Sequence, residues 1–264
     1  MDIAVVGGDA RFVYLTRLLC SCGHDARAIR PMECGVPNLK KGELEELADA
    51  KNVVMNWPAP NGRELLQKLN VGTRVYFCGP GKPESVPEGI RAVNLWEDER
   101  LLLENAWLTA EGAVAAAMRG GVKALKDCHC LIIGWGRIGR ALTEILVGMN
   151  VRVTVASRSQ RGRNGAVERG AECISTYEMK KHLRGKDIIF STPPDRVLDE
   201  ALLKEMRSDV QIIDLSSAPY GVDLEAAKEL GLNAWREPGL PGRYCPFSAA
   251  QALLRAMIHS ERKG

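Results

Sequence analysis

Leu131-Ile132-Ile133-Gly134-Trp135-Gly136-Arg137-Ile138-Gly139-Arg140 is the stretch that decides the fold. An apolar run ends in a glycine-rich turn, an amphipathic stretch over 138–147 follows, and a second apolar run occupies 151–156. Strand, turn, helix and next strand thus fall at the spacing of a dinucleotide-binding unit. Gly134 permits the tight turn, Gly136 lets a pyrophosphate approach the backbone, and Gly139 lets the helix pack closely on the strand. The helix start at Arg137 and Ile138 then turns its amides toward the phosphates.

The end of the second strand bears on which dinucleotide fits. A site for NAD usually carries Asp or Glu about 20 residues beyond the glycines, to bind the ribose 2′-hydroxyl. Here Ser157 and Arg158 hold that position, with Arg161 and Arg163 close behind. A guanidinium fork donates to a 2′-phosphate, whereas a carboxylate would repel it, so NADP is expected over NAD. An ordinary basic surface loop is the simpler alternative.

A chain of 264 residues is long for one core and comfortable for two domains. The net charge is +3 and the charges are mixed along the chain, which gives no case for nucleic acid. No apolar stretch reaches the length of a membrane span, and the sequence opens on a strand pattern in place of a charged-then-apolar leader, so a cytoplasmic protein is expected. The eight cysteines include Cys20-Ser-Cys22 and Cys128-His-Cys130, but no C-x-x-C pair. Neither C-x-C pair has a partner at a zinc spacing, so reduced structural thiols and no metal are expected.

The first half repeats the strand-helix theme. Strands are expected at 3–6, 25–29, 52–56, 74–78 and 91–94, with helices at 11–20, 39–48 and 62–69. In the second half, strands are expected at 187–191, 211–215 and 233–236, before a final amphipathic helix at 247–260 with a frayed tail over 261–264. Such alternation implies parallel sheets covered on both faces. The expected architecture is therefore α/β: two Rossmann-like doubly wound parallel-sheet domains separated by a cleft and joined by a hinge helix. Residues 1–104, with the terminal helix 246–264 returning to them, would form a substrate domain. The hinge helix would span 105–122, and 123–245 would bind the nucleotide.

Several residues at strand ends are candidates for chemistry. Gly7-Gly8-Asp9-Ala10-Arg11 lacks the third glycine of a dinucleotide fingerprint, and Asp9 would repel a phosphate. Yet it lies where open sheets bind ligands, so Arg11 is a candidate carboxylate clamp and Asp9 its orienting partner. A helix-capping Asp9 and a solvated Arg11 are the competing reading. Thr109 is expected as the N-cap of the hinge helix, which would present Thr109 and Glu111 to the cleft. The alanine-rich face at 113–118 reads as a domain seam ahead of a contact between copies of the chain. Thr192-Pro193 and Ser216 follow successive strands, on the side where the nicotinamide half of a dinucleotide lies.

Together, Gly7-Gly8-Asp9-Ala10-Arg11, Thr109-Ala110-Glu111-Gly112, the turn from Gly134 to Gly139, Asp214-Leu215-Ser216-Ser217 and Pro238-Gly239-Leu240-Pro241-Gly242 stand in a telling order. It resembles the family of the dehydrogenase-like, A-type subunit of dipicolinate synthase from spore-forming bacteria. The resemblance covers essentially the whole chain. It implies an NAD(P)-dependent dehydrogenase that oxidises a dihydrodipicolinate-derived precursor to pyridine-2,6-dicarboxylate in the mother-cell cytoplasm. The implied partner is the second, flavoprotein-like subunit of dipicolinate synthase. Restoring an aromatic ring demands no strong base, so the task is to position a flat dicarboxylate. Arg11 and Arg243 are then the expected clamps, assisted by Thr109 and the backbone at Gly239. Glu111, with Asp9 second, would take any proton that leaves.

Two other functions compete. A 2-hydroxyacid dehydrogenase shares the layout but needs a histidine acid/base in the segment 237–247. The four histidines, His24, His129, His182 and His259, all lie elsewhere. A nucleotide-sensing or scaffold protein without activity is the rival from another class.

Overall fold

The computed structural model describes residues 2–81 and 83–262. The chain divides into two compact units, Met1–Asn105 with Pro241–Gly264, and Ala106–Leu240.

The first unit begins with β1 (Ile3–Val6), α1 (Ala10–Ser21), β2 (Ala26–Ile29), β3 (Lys41–Gly42), β4 (Asn52–Asn56), α2 (Gly62–Gln67), β5 (Arg74–Cys78) and β6 (Arg91–Asn94). Its six strands are all parallel, in the order β3-β2-β1-β4-β5-β6. The apolar runs read as continuous because both faces are covered. Ile3, Val5, Val54 and Tyr76 join Phe12 and Leu15 of α1 in one core, while Ala4, Val6, Val53, Met55 and Phe77 join Leu47, Leu65 and Leu66 in the other. Successive residues of each strand serve opposite faces.

Residues 39–48, expected as a helix, instead give β3 and a 3-10 turn at Leu44–Asp49. Gly42 is the reason. A Cβ there would lie 3.3 Å from Arg27 Cβ and 2.9 Å from Ile29 Cδ1, so the backbone of β3 can approach β2 only without a side chain.

The long helix α3 (Glu99–Gly120) starts ten residues before Thr109, which corrects the expected N-cap. Asp98 Oδ1 accepts from the amide of Arg100 at 2.9 Å and so holds the true start. Its other oxygen is hydrogen-bonded to His259 Nδ1 at 2.7 Å, and that bond keeps the Asp98 carboxyl below the usual range. Leu101, Ala106, Ala110, Ala113 and Ala117 follow as a buried stripe at helical spacing.

The second unit contains β7 (His129–Ile133), α4 (Arg137–Gly148), β8 (Arg152–Ser157), α5 (Gln160–Glu168), β9 (Glu172–Ser175), β10 (Ile188–Ser191), α6 (Glu200–Leu203), β11 (Gln211–Asp214), α7 (Leu224–Glu229) and β12 (Asn233–Arg236). Its parallel sheet runs β12-β11-β10-β7-β8-β9. In both sheets the strand order within the unit is 3-2-1-4-5-6, the doubly wound Rossmann order. Leu131, Ile133, Ile189 and Ile212 fill one face. Ile132, Val155, Phe190 and Ile213 are fully buried on the alternate positions. Burial of each such side chain contributes about 1.5–3 kcal/mol.

The chain closes with α8 (Leu240–Tyr244) and α9 (Pro246–Glu261). The terminal helix returns to the first unit, where Phe247 meets Tyr14 edge-on at 5.9 Å and Ala250, Leu253 and Met257 enter the core of α1. Glu261, expected in a frayed tail, is helical and accepts a hydrogen bond from the Tyr76 hydroxyl at 3.0 Å. The remaining expectation for that tail, at 263 and 264, lies outside the described residues. Among the described residues no helix is long and apolar enough to cross a membrane. None of the eight cysteines is in a disulfide.

Candidate functional site

The switch point of the second sheet lies between β7 and β10, where the strand order reverses. Ligands of open α/β sheets bind at the carboxyl ends of the strands at such a point. The glycine turn sits there, and each glycine meets a different constraint. Gly134 has φ +100°, and a Cβ on it would lie 2.4 Å from Thr192 Oγ1 and 3.2 Å from the Pro193 ring. Gly139 lies in the first turn of α4, where a Cβ would come within 2.2 Å of the Gly134 carbonyl oxygen. Gly136 is the N-cap, with φ −78° and nothing within 4 Å of its Cβ direction. Protein packing therefore demands glycine at 134 and 139 but leaves 136 open. Close approach of a ligand is the reason left for that glycine.

Gly136 supplies no side-chain cap to α4. By contrast, Ser159, Asp199 and Asp223 cap α5, α6 and α7 with side-chain oxygens. First-turn amides lack intrahelical acceptors, and the helix dipole favours an anion in front of them. The chain's own groups thus form a cradle that fits a pyrophosphate.

The basic segment is divided in its roles. Ser157 ends β8 and is buried, with Gly162 pressed against it. Arg163 is bound into the local fold. Its Nη1 donates to the carbonyls of Ser157 and Arg158 at 2.9 and 3.0 Å, and its Nη2 to Gln160 Oε1 at 2.8 Å. Arg158 and Arg161 are exposed. Among the described residues the Arg158 guanidinium has only a long ion pair to Asp195, at 3.9 Å. Arg158 therefore follows the end of β8 with its guanidinium turned to solvent rather than bound into the local fold.

Thr192 and Ser216 are both engaged with the protein. The Thr192 hydroxyl donates to the Ile133 carbonyl at 2.9 Å, which ties the end of β10 to β7. The Ser216 hydroxyl donates to Asp214 Oδ1 at 2.6 Å and accepts from the Gly221 amide at 2.7 Å. It is buried and holds its loop at the end of β11.

In the first unit, Asp9 caps α1 through the Arg11 amide at 3.0 Å. It also grips the Arg11 guanidinium through Nε at 2.8 and 3.0 Å and through Nη2 at 2.8 Å. Asp9 is thus a helix cap, as the competing reading expected, and Arg11 is paired with it rather than solvated. The same carboxylate lies against Gly242, whose Cβ would fall 2.4 Å from Asp9 Oδ2, so Gly242 and the G-G-D-A-R turn meet within the first unit. Arg243 is exposed on α8, with its guanidinium carbon 5.8 Å from the Tyr244 ring centre. Gly239, at φ +65°, has nothing within 4 Å. Thr109 is buried in the interior of α3, and Glu111 is exposed one turn from Trp107, whose Nε1 donates to it at 2.9 Å.

Sequence reading missed Arg236. It ends β12 beside Asp214, the end of β11, and its only sequence signal is an Asp and an Arg closing neighbouring strands. The histidines all stand away from the strand ends that carry the glycine turn. His129 opens β7 at the opposite edge, His182 lies in the 3-10 segment Thr176–Gly185, His259 lies on α9, and His24 follows α1. Among the described residues no group of three or more His, Cys, Asp and Glu could hold a metal.

Residues 96–226 match the family described as D-isomer specific 2-hydroxyacid dehydrogenase, NAD binding domain. The A-type subunit of dipicolinate synthase from Bacillus subtilis (strain 168) is 25% identical, over 97% of this chain and 94% of that protein. The crystal structure of the corresponding dipicolinate synthase protein from Bacillus halodurans superposes with a TM-score of 0.82 at 22% identity, covering 98% of this chain and 96% of that one. The transhydrogenase of Sinorhizobium meliloti gives a TM-score of 0.71 at 14% identity, covering 96% and 94%. The apo-structure of D-lactate dehydrogenase from Escherichia coli gives 0.65 at 16%, covering 100% and 98%. The chain thus has a two-unit Rossmann fold, its residues 96–226 are similar to the NAD-binding domain of D-isomer specific 2-hydroxyacid dehydrogenases, and along its whole length it is similar to the A-type subunit of dipicolinate synthase.

Proposed function

We propose that this protein oxidises a dihydrodipicolinate-derived precursor to pyridine-2,6-dicarboxylate, with NADP as the acceptor. Its working partner is then a second, flavoprotein-like subunit, and its place the mother-cell cytoplasm of a sporulating bacterium. The observation that carries the dehydrogenase part is the open, uncapped turn at Gly136 between two glycines that packing itself requires. The substrate rests on a likeness that runs through both units, beyond the nucleotide half that dehydrogenases in general share.

The bound dinucleotide supplies a hydride acceptor. The backbone at Gly136, Arg137, Ile138 and Gly139 would hold its pyrophosphate, and Arg158 beside Ser157 its 2′-phosphate. Pro193 and Thr192 wall the turn at Gly134. The substrate ring gives up one hydride and one proton and becomes aromatic, so orientation contributes most of the catalysis. Arg11, held rigid by Asp9, and Arg243 are proposed for its carboxylates, with the Gly239 backbone beside them. Glu111 is the proposed proton acceptor, with Asp9 second and Thr109 close by on the same helix as Glu111. The absence of any histidine at the carboxyl ends of the strands favours this chemistry over oxidation of a 2-hydroxyacid, which needs a proton acceptor for an alcohol.

The test is dipicolinate formation, followed by ultraviolet absorbance, from freshly made precursor and NADP. Product from this chain alone supports a self-sufficient enzyme. Product only after adding the partner protein supports the two-subunit form. NADPH binding without product in either mixture refutes the enzymatic reading and leaves a sensor.

A further inference from the structure

The carboxyl edge of the second sheet holds a charge pair that nucleotide binding does not explain. Asp214 and Arg236 are register partners at the ends of β11 and β12. Asp214 is fully buried, and its Oδ1 accepts from the Ser216 amide at 3.1 Å and the Ser216 hydroxyl at 2.6 Å. Its Oδ2 has no hydrogen bond and lies 3.6 Å from Arg236 Nε, which also has none. The Arg236 guanidinium carbon stands 3.4 Å from the centre of the Tyr220 ring. One edge of the guanidinium is thus set by a carboxylate and one face by an aromatic ring. Among the described residues its terminal amino groups enter no hydrogen bond, and the side chain is 30% exposed.

A buried ion pair contributes little net stability compared with apolar packing, because desolvation offsets the attraction. Stability alone is therefore a weak reason for this pair. An arginine whose edge and face are fixed while its terminal amino groups keep their donors unused is a preorganised fork for a planar anion. It stands on the strand-end edge that carries the glycine turn and Thr192, on the side of β10 to β12 where the reacting half of a dinucleotide lies.

We infer that Arg236 binds a carboxylate of the substrate through its terminal amino groups, with Asp214 and Tyr220 as positioning residues. This rests on the reading of the substrate as a flat pyridine dicarboxylate. Arg11 has its guanidinium wrapped by Asp9 in three hydrogen bonds, whereas Arg236 keeps its donors available.

The test is titration calorimetry on the full chain saturated with NADP, using pyridine-2,6-dicarboxylate and pyridine-2-carboxylate as probes. Removing Arg236 alone would strand Asp214 as a buried unpaired charge, so the informative variant is the double substitution Arg236→Gln with Asp214→Asn. Arg236→Lys keeps the charge but loses the fork, and serves as the second variant. The wild type should prefer the dicarboxylate by at least about tenfold, the worth of one charge-assisted hydrogen bond. The double variant should lose about 10- to 100-fold in dicarboxylate affinity and most of that preference, with NADPH affinity unchanged. Arg236→Lys should fall between. Variants that bind NADPH and keep the wild-type affinity and preference overturn the role of Arg236 while leaving the proposed reaction standing. A wild type that binds NADPH but neither pyridine acid overturns the substrate reading and this inference together.

Discussion

Replacing Gly136 and Gly139 separately by alanine separates the demands of folding from those of the nucleotide. At Gly139 the new methyl would lie 2.2 Å from the Gly134 carbonyl oxygen, about 1 Å inside the closest ordinary carbon–oxygen approach of about 3.3 Å. That oxygen is backbone and cannot swing away, so the start of α4 must shift outward. Overpacking of this kind costs about 1–3 kcal/mol, offset by roughly 0.5–1 kcal/mol of helix propensity gained from alanine. A net loss of about 1–2 kcal/mol corresponds to a Tm lower by roughly 2–8 °C for a domain of this size. The same shift misaligns the first-turn amides. Loss of one charge-assisted hydrogen bond then weakens NADPH binding about tenfold or more. At Gly136 the methyl meets no protein atom within 4 Å, and φ is −78°. Stability should change by a few tenths of a kcal/mol, the difference between glycine and alanine at an N-cap. NADPH affinity should nevertheless fall at least about tenfold, because the methyl occupies the path of the phosphates. Calorimetric melting and fluorescence titration of NADPH on both variants provide the assay. A Gly136→Ala protein with wild-type NADPH affinity would remove this turn from the nucleotide site.

Three further predictions concern charge. Arg158→Ala should lower the preference for NADPH over NADH about tenfold, measured as a ratio of dissociation constants; a wild type that binds NADH more tightly contradicts the assignment. Arg11→Ala should raise the KM for the dicarboxylate precursor with little change in nucleotide affinity, and an unchanged KM takes Arg11 out of the substrate site. His129 is held neutral by burial and by the ammonium of Lys186, whose Nζ lies 2.6 Å from its Nε2, and its pKa is pushed down to about 4. The unfolded chain then binds more protons between about pH 6.5 and 4, so stability should fall through that window by up to about 3 kcal/mol as pH drops. Urea midpoints at pH 7 and 4.5 should differ less in His129→Gln than in the wild type, and equal differences would refute the assignment. Asp187, lowered to about 2 with Lys123 and Arg207 hydrogen-bonded to it, loses its contribution only at more acidic pH.

The sequence by itself determined the nucleotide unit, because what specifies it is local. Strand, three-glycine turn and the start of the helix occupy 11 consecutive positions from His129 to Gly139, and the atoms that require glycine at 134 and 139 lie within the same unit. The alternating apolar runs likewise determined two parallel sheets, since burial on both faces is written as continuous hydrophobic strands. Local signals failed where a competing partner lay elsewhere in the chain. Thr109 has N-cap chemistry, but the helix already starts at Glu99 under Asp98, which His259 holds from 161 positions away. Arg236 gives no motif at all. It becomes a fork only because strand register sets it beside Asp214 and the loop after β11 lays Tyr220 across its face. Short-range sterics and periodicity are carried by neighbouring residues, whereas the pairing of a charge depends on register between strands, and only the assembled sheet decides that.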